Sequence, residues 1–341
     1  MNVALLEYAN RNIYNAGSKA REDALKIAEL CGYKHIPLYQ SGINKGIVAL
    51  QICKSVFQTI IQTSKDDKIF VQYPYHPGIV NRVLFKMLTF GKKVKNYSLI
   101  LLLHDVALMR DERFLTKEGS RLLKKELDSF HAFDKVICHN EFMKKKFLEV
   151  GGTGNYVVLT PFDYLYGGHP ALQTRKDKPT VVIAGNLKEE KSGYVYQLAG
   201  KTHVYYNLYG SNYSGPENDF VQYKGGFSPD ELIEHLEGDY GLVWDGPSCN
   251  TCEGVFGQYL KFNNPHKFSL YVAAELPVII WNESALKDYV EENNIGIVVE
   301  SIEDMENKLK LITKNRYAEM KINLHRIRCE ILGGKHLSKW L

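Results

Sequence analysis

Short apolar runs rich in β-branched and aromatic residues alternate along the chain with longer segments whose apolar positions recur every three or four residues. Val3–Tyr8 reads as a strand, and Gly17–Leu30 as a helix with Ala20, Ala24, Leu25, Ile27 and Ala28 on one face. Strands His35–Tyr39, Lys68–Tyr73, Tyr97–Leu103, Lys135–His139 and Tyr156–Thr160 follow, separated by helices over Gly46–Gln62, Gly78–Phe90, Thr116–Phe130 and Glu141–Val150. Strands separated by helices in this way predict right-handed βαβ units and a parallel sheet.

From Pro161 to Lys178 the pattern lapses into Gly, Pro and polar residues, the signature of a linker. It then restarts, with strands at Thr180–Ala184, Val204–Tyr209, Gly241–Trp244, Val278–Trp281 and Gly296–Val299. Helices are expected to begin near Ser192, Ser228, Pro265 and Ser284, and the chain ends in helices from Ile302 to about Leu332. The reading is α/β: a Rossmann-like domain over 1–160, a linker over 161–178 and a second Rossmann-like domain over 179–312. Helices over 313–341 are expected to pack back towards the first domain. Two doubly wound halves would hold ligands at the carboxyl ends of their strands, facing across a cleft.

A length of 341 residues exceeds what one core usually supports, which agrees with two domains. The strongest apolar run, Leu99–Leu103, is far too short to span a membrane, and the first residues lack the pattern of a signal peptide. A cytoplasmic location is expected. The cysteines are scattered, and Cys249-Asn-Thr-Cys252 has half the spacing of a zinc site with no matching second pair, so no metal site is expected. Charge is uneven: Arg82–Lys146 holds 15 Lys and Arg against 8 Asp and Glu. That excess reads either as solvated helix faces or as attraction to the inner face of an anionic membrane. No recognition motif supports nucleic acid as a partner.

Several segments could carry chemistry. Asn15-Ala-Gly17-Ser18 joins the first strand to the first helix, where helix amides suit an anionic ligand, although an ordinary turn has the same composition. His104-Asp105 ends the most apolar strand, where polar side chains enter the ligand crevice, and either group could take a proton from a hydroxyl. An Asp in this position also commonly caps the next helix. In the second half, Ala184-Gly185-Asn186-Leu-Lys188 and Tyr209-Gly210 place glycines where backbone amides can approach a diphosphate. Asn264-Pro265-His266-Lys267 opens a helix, and a cation there conflicts with the helix dipole unless an anion joins it.

With these segments in hand, the chain resembles bacterial β-1,6-galactofuranosyltransferases of polysaccharide assembly. Phe256-Gly-Gln-Tyr-Leu-Lys-Phe-Asn-Asn-Pro-His-Lys267 and Ser269-Leu-Tyr-Val-Ala-Ala-Glu-Leu-Pro277 carry most of the likeness. Ala16-Gly17, Lys19-Ala-Arg21, His104-Asp105 and Ala184-Gly-Asn-Leu187 add to it. A wider similarity links it to streptococcal glucosyltransferases acting on serine-rich adhesins. The resemblance implies a GT-B fold, a UDP-sugar donor and a glycoside or lipid-linked saccharide acceptor, with a homodimer also open. For the galactofuranosyl members it implies transfer to a hexose 6-hydroxyl. It implies that Asn186, Lys188, Lys267, Ser269 and Tyr271 line the diphosphate and ribose, joined on the donor side by Gly185, Gly210, Asn264 and His266. Gly17 and Lys19 would approach the donor from the first domain, and His104 and Asp105 would face the acceptor.

One departure bears on mechanism. Retaining GT-B enzymes carry a glutamate where this chain has Leu270, and Glu275 replaces the usual glycine before Leu276-Pro277. Inverting transfer is therefore expected. No Asp-x-Asp occurs, so metal-free catalysis without a cofactor is expected, with Lys267 and helix amides meeting the leaving UDP. The competing readings are another UDP-hexose donor, such as UDP-glucose, and a non-catalytic nucleotide-sugar-binding subunit. An NAD-dependent oxidoreductase is disfavoured because the glycine fingerprint is missing.

Overall fold

The computed structural model describes residues 1–8, 16–40, 45–75, 78–171 and 178–341, and the structural statements that follow concern these. Six strands, β1 (Val3–Tyr8), β2 (Lys34–Gln40), β3 (Lys68–Tyr73), β4 (Ser98–Leu103), β5 (Lys135–Cys138) and β6 (Tyr156–Val158), form a parallel sheet in the order β2-β1-β3-β4-β5-β6. Helices α1 (Ala16–Leu30), α2 (Lys45–Gln62), α3 (Ile79–Lys95), α4 (Lys117–Asp128) and α5 (Glu141–Glu149) connect them. Leu99 to Leu103 are buried because β4 is paired on both edges and sits inside the sheet, as a continuous apolar run requires. Asn140 accepts a hydrogen bond from the Met143 amide, so it ends β5, caps α5 and holds the preceding His139 in the turn.

The second sheet has the order β12-β11-β10-β7-β8-β9. Its strands are β7 (Thr180–Asn186), β8 (Tyr205–Ser211), β9 (Val221–Gly225), β10 (Tyr240–Val243), β11 (Val278–Trp281) and β12 (Gly296–Val299). The helices are α6 (Glu189–Ser192), α7 (Leu232–His235), α8 (Gly254–Tyr259), α9 (His266–Ala273), α10 (Lys287–Asn293), α11 (Ile302–Leu311), α12 (Lys314–Leu332) and α13 (Lys335–Ser338). Strand β9 is absent from the sequence reading. It is an edge strand of mixed burial, so it lacks the apolar run that marks an interior strand. The helix expected from Ser228 shrinks to the single turn α7, with Ser228 donating to the Glu231 carboxylate at 2.7 Å.

The chain divides into two units. One contains Gly17–Thr160, the first strand and His336–Leu341, and the other contains Pro161–Lys335. The chain beyond residue 313 thus splits differently from the expected 313–341 block. Helix α12 stays in the second unit because Met320, Leu324, Ile327 and Ile331 join that unit's core. Only the last residues return to the first unit. There the Trp340 indole donates to the Val158 carbonyl at 3.0 Å and lies under the Lys135 ammonium, while Tyr33 donates to the Leu341 carbonyl. Among the described residues no helix is long and apolar enough to cross a membrane.

Candidate active site

In the first unit, polar groups gather at the carboxyl ends of three neighbouring strands. The ladder between β3 and β4 runs one step past β4, with the His104 amide donating to the Tyr73 carbonyl at 2.8 Å. His104 Nε2 lies 2.5 Å from Gln72 Oε1. The Gln72 amide nitrogen is committed as donor to the Arg21 carbonyl on α1, so its oxygen can only accept. The proton of neutral His104 therefore sits on Nε2, and Nδ1 carries the lone pair. Asp105 follows, 27% exposed, its carboxylate paired with Arg110 from the 3-10 turn Ala107–Arg110.

Buried His139 completes the group, with Nε2 at 3.1 Å from the Leu103 carbonyl. Burial holds its pKa down at about 4, against the opposing pull of the Asp105 charge. The ring is neutral at physiological pH and donates through Nε2. Across the same edge, Tyr73 donates to Glu126 at 2.6 Å. Burial raises the Glu126 pKa, the Tyr73 hydrogen bond offsets part of this, and Asp105 adds to the rise. Asp105 thus keeps partial access to water at an edge where His139 is fully withdrawn from it.

The remaining predicted residues of this unit fall in α1. Gly17 lies in its first turn, while Asn15 falls outside the described residues. Lys19 points inwards: its ammonium is buried 2.7 Å from buried Asp23, one helical turn on. Arg21 instead reaches the end of β3, donating to the Pro74 carbonyl and lying over the Tyr75 ring.

In the second unit, Gly185 and Gly210 face one another in the β7–β8 register, both at strongly positive φ. A Cβ on Gly210 would lie 1.7 Å from the Gly185 carbonyl oxygen, so only glycine permits this close approach. Asn186 Oδ1 accepts from the Lys188 amide at 3.1 Å and from Asn212 Nδ2 at 2.9 Å, which shapes an exposed polar turn beyond β7. The Lys188 ammonium is exposed and paired with Glu190.

Helix α9 resolves differently from its sequence reading. Lys267 Nζ lies 2.8 Å from Asp245 Oδ1 and donates to the Trp244 carbonyl at 3.1 Å. Asp245, at the end of β10, therefore supplies the anion that reconciles a cation with this helix start. The Ser269 hydroxyl is buried and donates to the Phe162 carbonyl, and the buried Tyr271 hydroxyl accepts from the Ala184 amide. Tyr271 thus supports β7, and Ser269 the segment that follows β6, both from inside. Asn264 is buried, and the His266 ring stacks on Tyr164 at 5.0 Å.

Residues 2–161 match the N-terminal domain of glucosyltransferase 3-like proteins, and residues 181–341 match their C-terminal domain. The chain is 32% identical to the β-1,6-galactofuranosyltransferase WbbI of Escherichia coli K12, over 94% of this chain and 92% of that protein. It belongs to the glucosyltransferase 3-like family. Within that family it is also similar to glucosyltransferase 3 of Streptococcus gordonii, at 25% identity over 88% of this chain and 85% of that protein. Sucrose-phosphate synthase from Thermosynechococcus elongatus shares the fold at a TM-score of 0.63 and 11% identity, covering 100% of this chain and 97% of that one. The architecture is that of GT-B glycosyltransferases, as the sequence implied, and the chain is a glycosyltransferase.

The departures from the retaining pattern have structural counterparts in this family member. Leu270 is buried, so no carboxylate occupies its place. Glu275 adopts φ 57° at the end of α9, where glycine would cost nothing. Lys321 and Arg328 of α12 lie within 3.8 and 3.6 Å of its carboxylate. Sequence reasoning passed over Gln72 and His139 as candidate site residues, and met Asp245 and Asn212 only as ends of longer segments. Gln72 had a readable signal, since it is a lone amide at the end of the apolar run Ile69-Phe-Val71.

Proposed function

We propose that this glycosyltransferase transfers galactofuranose from UDP-galactofuranose to the 6-hydroxyl of a hexose during cell-surface polysaccharide synthesis, with inversion and without a divalent metal. The observation that carries this reading is the 32% identity with a β-1,6-galactofuranosyltransferase over nearly the whole chain. In the transfer, the acceptor oxygen bonds to the anomeric carbon as that carbon's bond to the diphosphate breaks. UDP leaves with the electron pair, and the hydroxyl proton passes to Asp105. The role falls to Asp105 because its carboxylate reaches solvent, whereas the His104 imidazole has Nε2 engaged by Gln72 and Nδ1 buried away from solvent. His104 then positions the strand end. The polar turn at Asn186–Lys188 and the amides opening α9 support the diphosphate, with Lys267, whose third N–H is left over from Asp245 and Trp244, as a further donor.

The test is UDP release across a donor panel with a hexoside acceptor, and product linkage by NMR. UDP-galactofuranose should be the preferred donor and the new bond should be β-1,6. Turnover should survive EDTA, since no Asp-x-Asp exists to hold a metal. Activity lost on chelation and restored by manganese would overturn the metal-free mechanism. The similarity to glucosyltransferase 3 favours UDP-glucose as the second reading, and exclusive use of UDP-glucose would replace the first. No UDP release with any donor would point to a non-catalytic subunit.

A further inference from the structure

Among the described residues, helices α2 and α3 leave an apolar surface without a partner. Along α2, Ile47, Leu50, Phe57 and Ile61 follow one another at intervals of three, seven and four residues, which places them on one side of the helix. Leu50 is 73% exposed and Phe57 64%. On α3, Phe90 is 70% exposed and Val94 65%, one turn apart. The two stripes converge, because Gly91 brings α3 against Ile60 of α2: a Cβ at Gly91 would come within 2.7 Å of that side chain. Phe57 and Ile61 on one helix, and Phe90 and Val94 on the other, flank this crossing and form one continuous apolar patch.

The charge that the two helices themselves carry has one sign, although Asp134 pairs with Lys92 at the end of α3. Neither helix contains an Asp or a Glu. Lys54, Arg82, Lys86 and Lys93 are exposed. A second copy of the chain would set these cations against their equivalents with no carboxylate in either helix to answer them. Anionic headgroups supply the missing charge, and the exposed rings and branched side chains reach the acyl boundary beyond them. We infer that α2 and α3 seat the N-terminal unit on an anionic lipid surface, lying on it rather than crossing it. This inference stands apart from donor identity, since none of these residues belongs to the candidate active site.

The test is flotation of the full chain with phosphatidylcholine vesicles, with and without phosphatidylglycerol. Binding should require phosphatidylglycerol and weaken as salt rises. Lys86→Glu with Lys93→Glu should lower the partition constant at least about tenfold, from the loss and reversal of two surface cations. Phe57→Ser with Phe90→Ser should also weaken binding while leaving thermal melting and turnover on a soluble acceptor unchanged. Equal binding to both vesicle types, or unchanged binding after charge reversal, would overturn the inference. So would size-exclusion chromatography in which Phe57→Ser with Phe90→Ser converts an oligomer to a monomer, since the face would then join copies of the chain.

Discussion

Asp105 and His104 are adjacent in sequence, but their surroundings assign them different work. Asp105→Asn keeps the shape and removes the basicity, so turnover should fall by about 10²–10⁴-fold, with UDP affinity unchanged. Its pair with Arg110 is partly exposed and contributes no more than about 1 kcal/mol, so the melting temperature should move little. His104→Ala should lower turnover by less; a dead His104→Ala beside a fully active Asp105→Asn would reverse the assignment. His139 offers a pH signature. Its folded pKa of about 4 lies below the usual 6.5, so between those values the unfolded chain binds a proton that the folded chain refuses. Its contribution to stability is complete above about pH 6.5 and is lost progressively towards pH 4, amounting to about 2 kcal/mol between pH 7 and 5. The ring proton of His139 should hold its neutral NMR position down to pH 5, and a midpoint near 6.5 would show the burial argument to be wrong. That a polar pair ends β4 was legible in the sequence. Which nitrogen of His104 carries the proton was not, because Gln72 and Arg21 arrive from two other elements.

At the scale of elements, α9 shows where local rules stop. Phe268, Ser269, Leu270, Tyr271, Val272 and Ala273 are all buried, so the helix has no polar face from which to read its orientation. The sequence located the helix start and flagged the cation near it, while the fold supplied Asp245 from β10 as its partner. Lys267→Ala should therefore cost about 3 kcal/mol of stability in the C-terminal unit, since it strands a buried carboxylate. Asp245→Asn combined with Lys267→Met should recover part of that loss, which a double-mutant cycle by thermal melting measures. Unchanged melting of Lys267→Ala with weakened UDP binding would instead identify the ammonium as a ligand group carrying little structural weight. The glycine pair Gly185–Gly210 was legible in kind, since both were read as close-approach positions. Their mutual contact was not, because it is set by the register of β7 against β8.

At the scale of the whole molecule, the chain ends where it began, in the first unit. Trp340→Ala removes the hydrogen bond to Val158 and the Lys135 contact on a half-buried ring, and should destabilise the N-terminal unit by about 2 kcal/mol. Hydrogen exchange should show faster opening in β5 and β6 and none in the C-terminal unit; uniform acceleration would argue against the division at Lys335. The sequence by itself determined the succession of strands and helices, the two parallel sheets and the family. Those properties rest on periodicity and on motifs that lie contiguously along the chain, where each residue's neighbours are already known. Only the tertiary structure decided that Lys19, Ser269 and Tyr271 turn inwards, that Lys267 is answered by Asp245, and that the chain past α12 returns to the first sheet. A side chain's partner across the fold depends on strand order and helix rotation about its axis, and neither is encoded in the spacing of apolar residues within one segment.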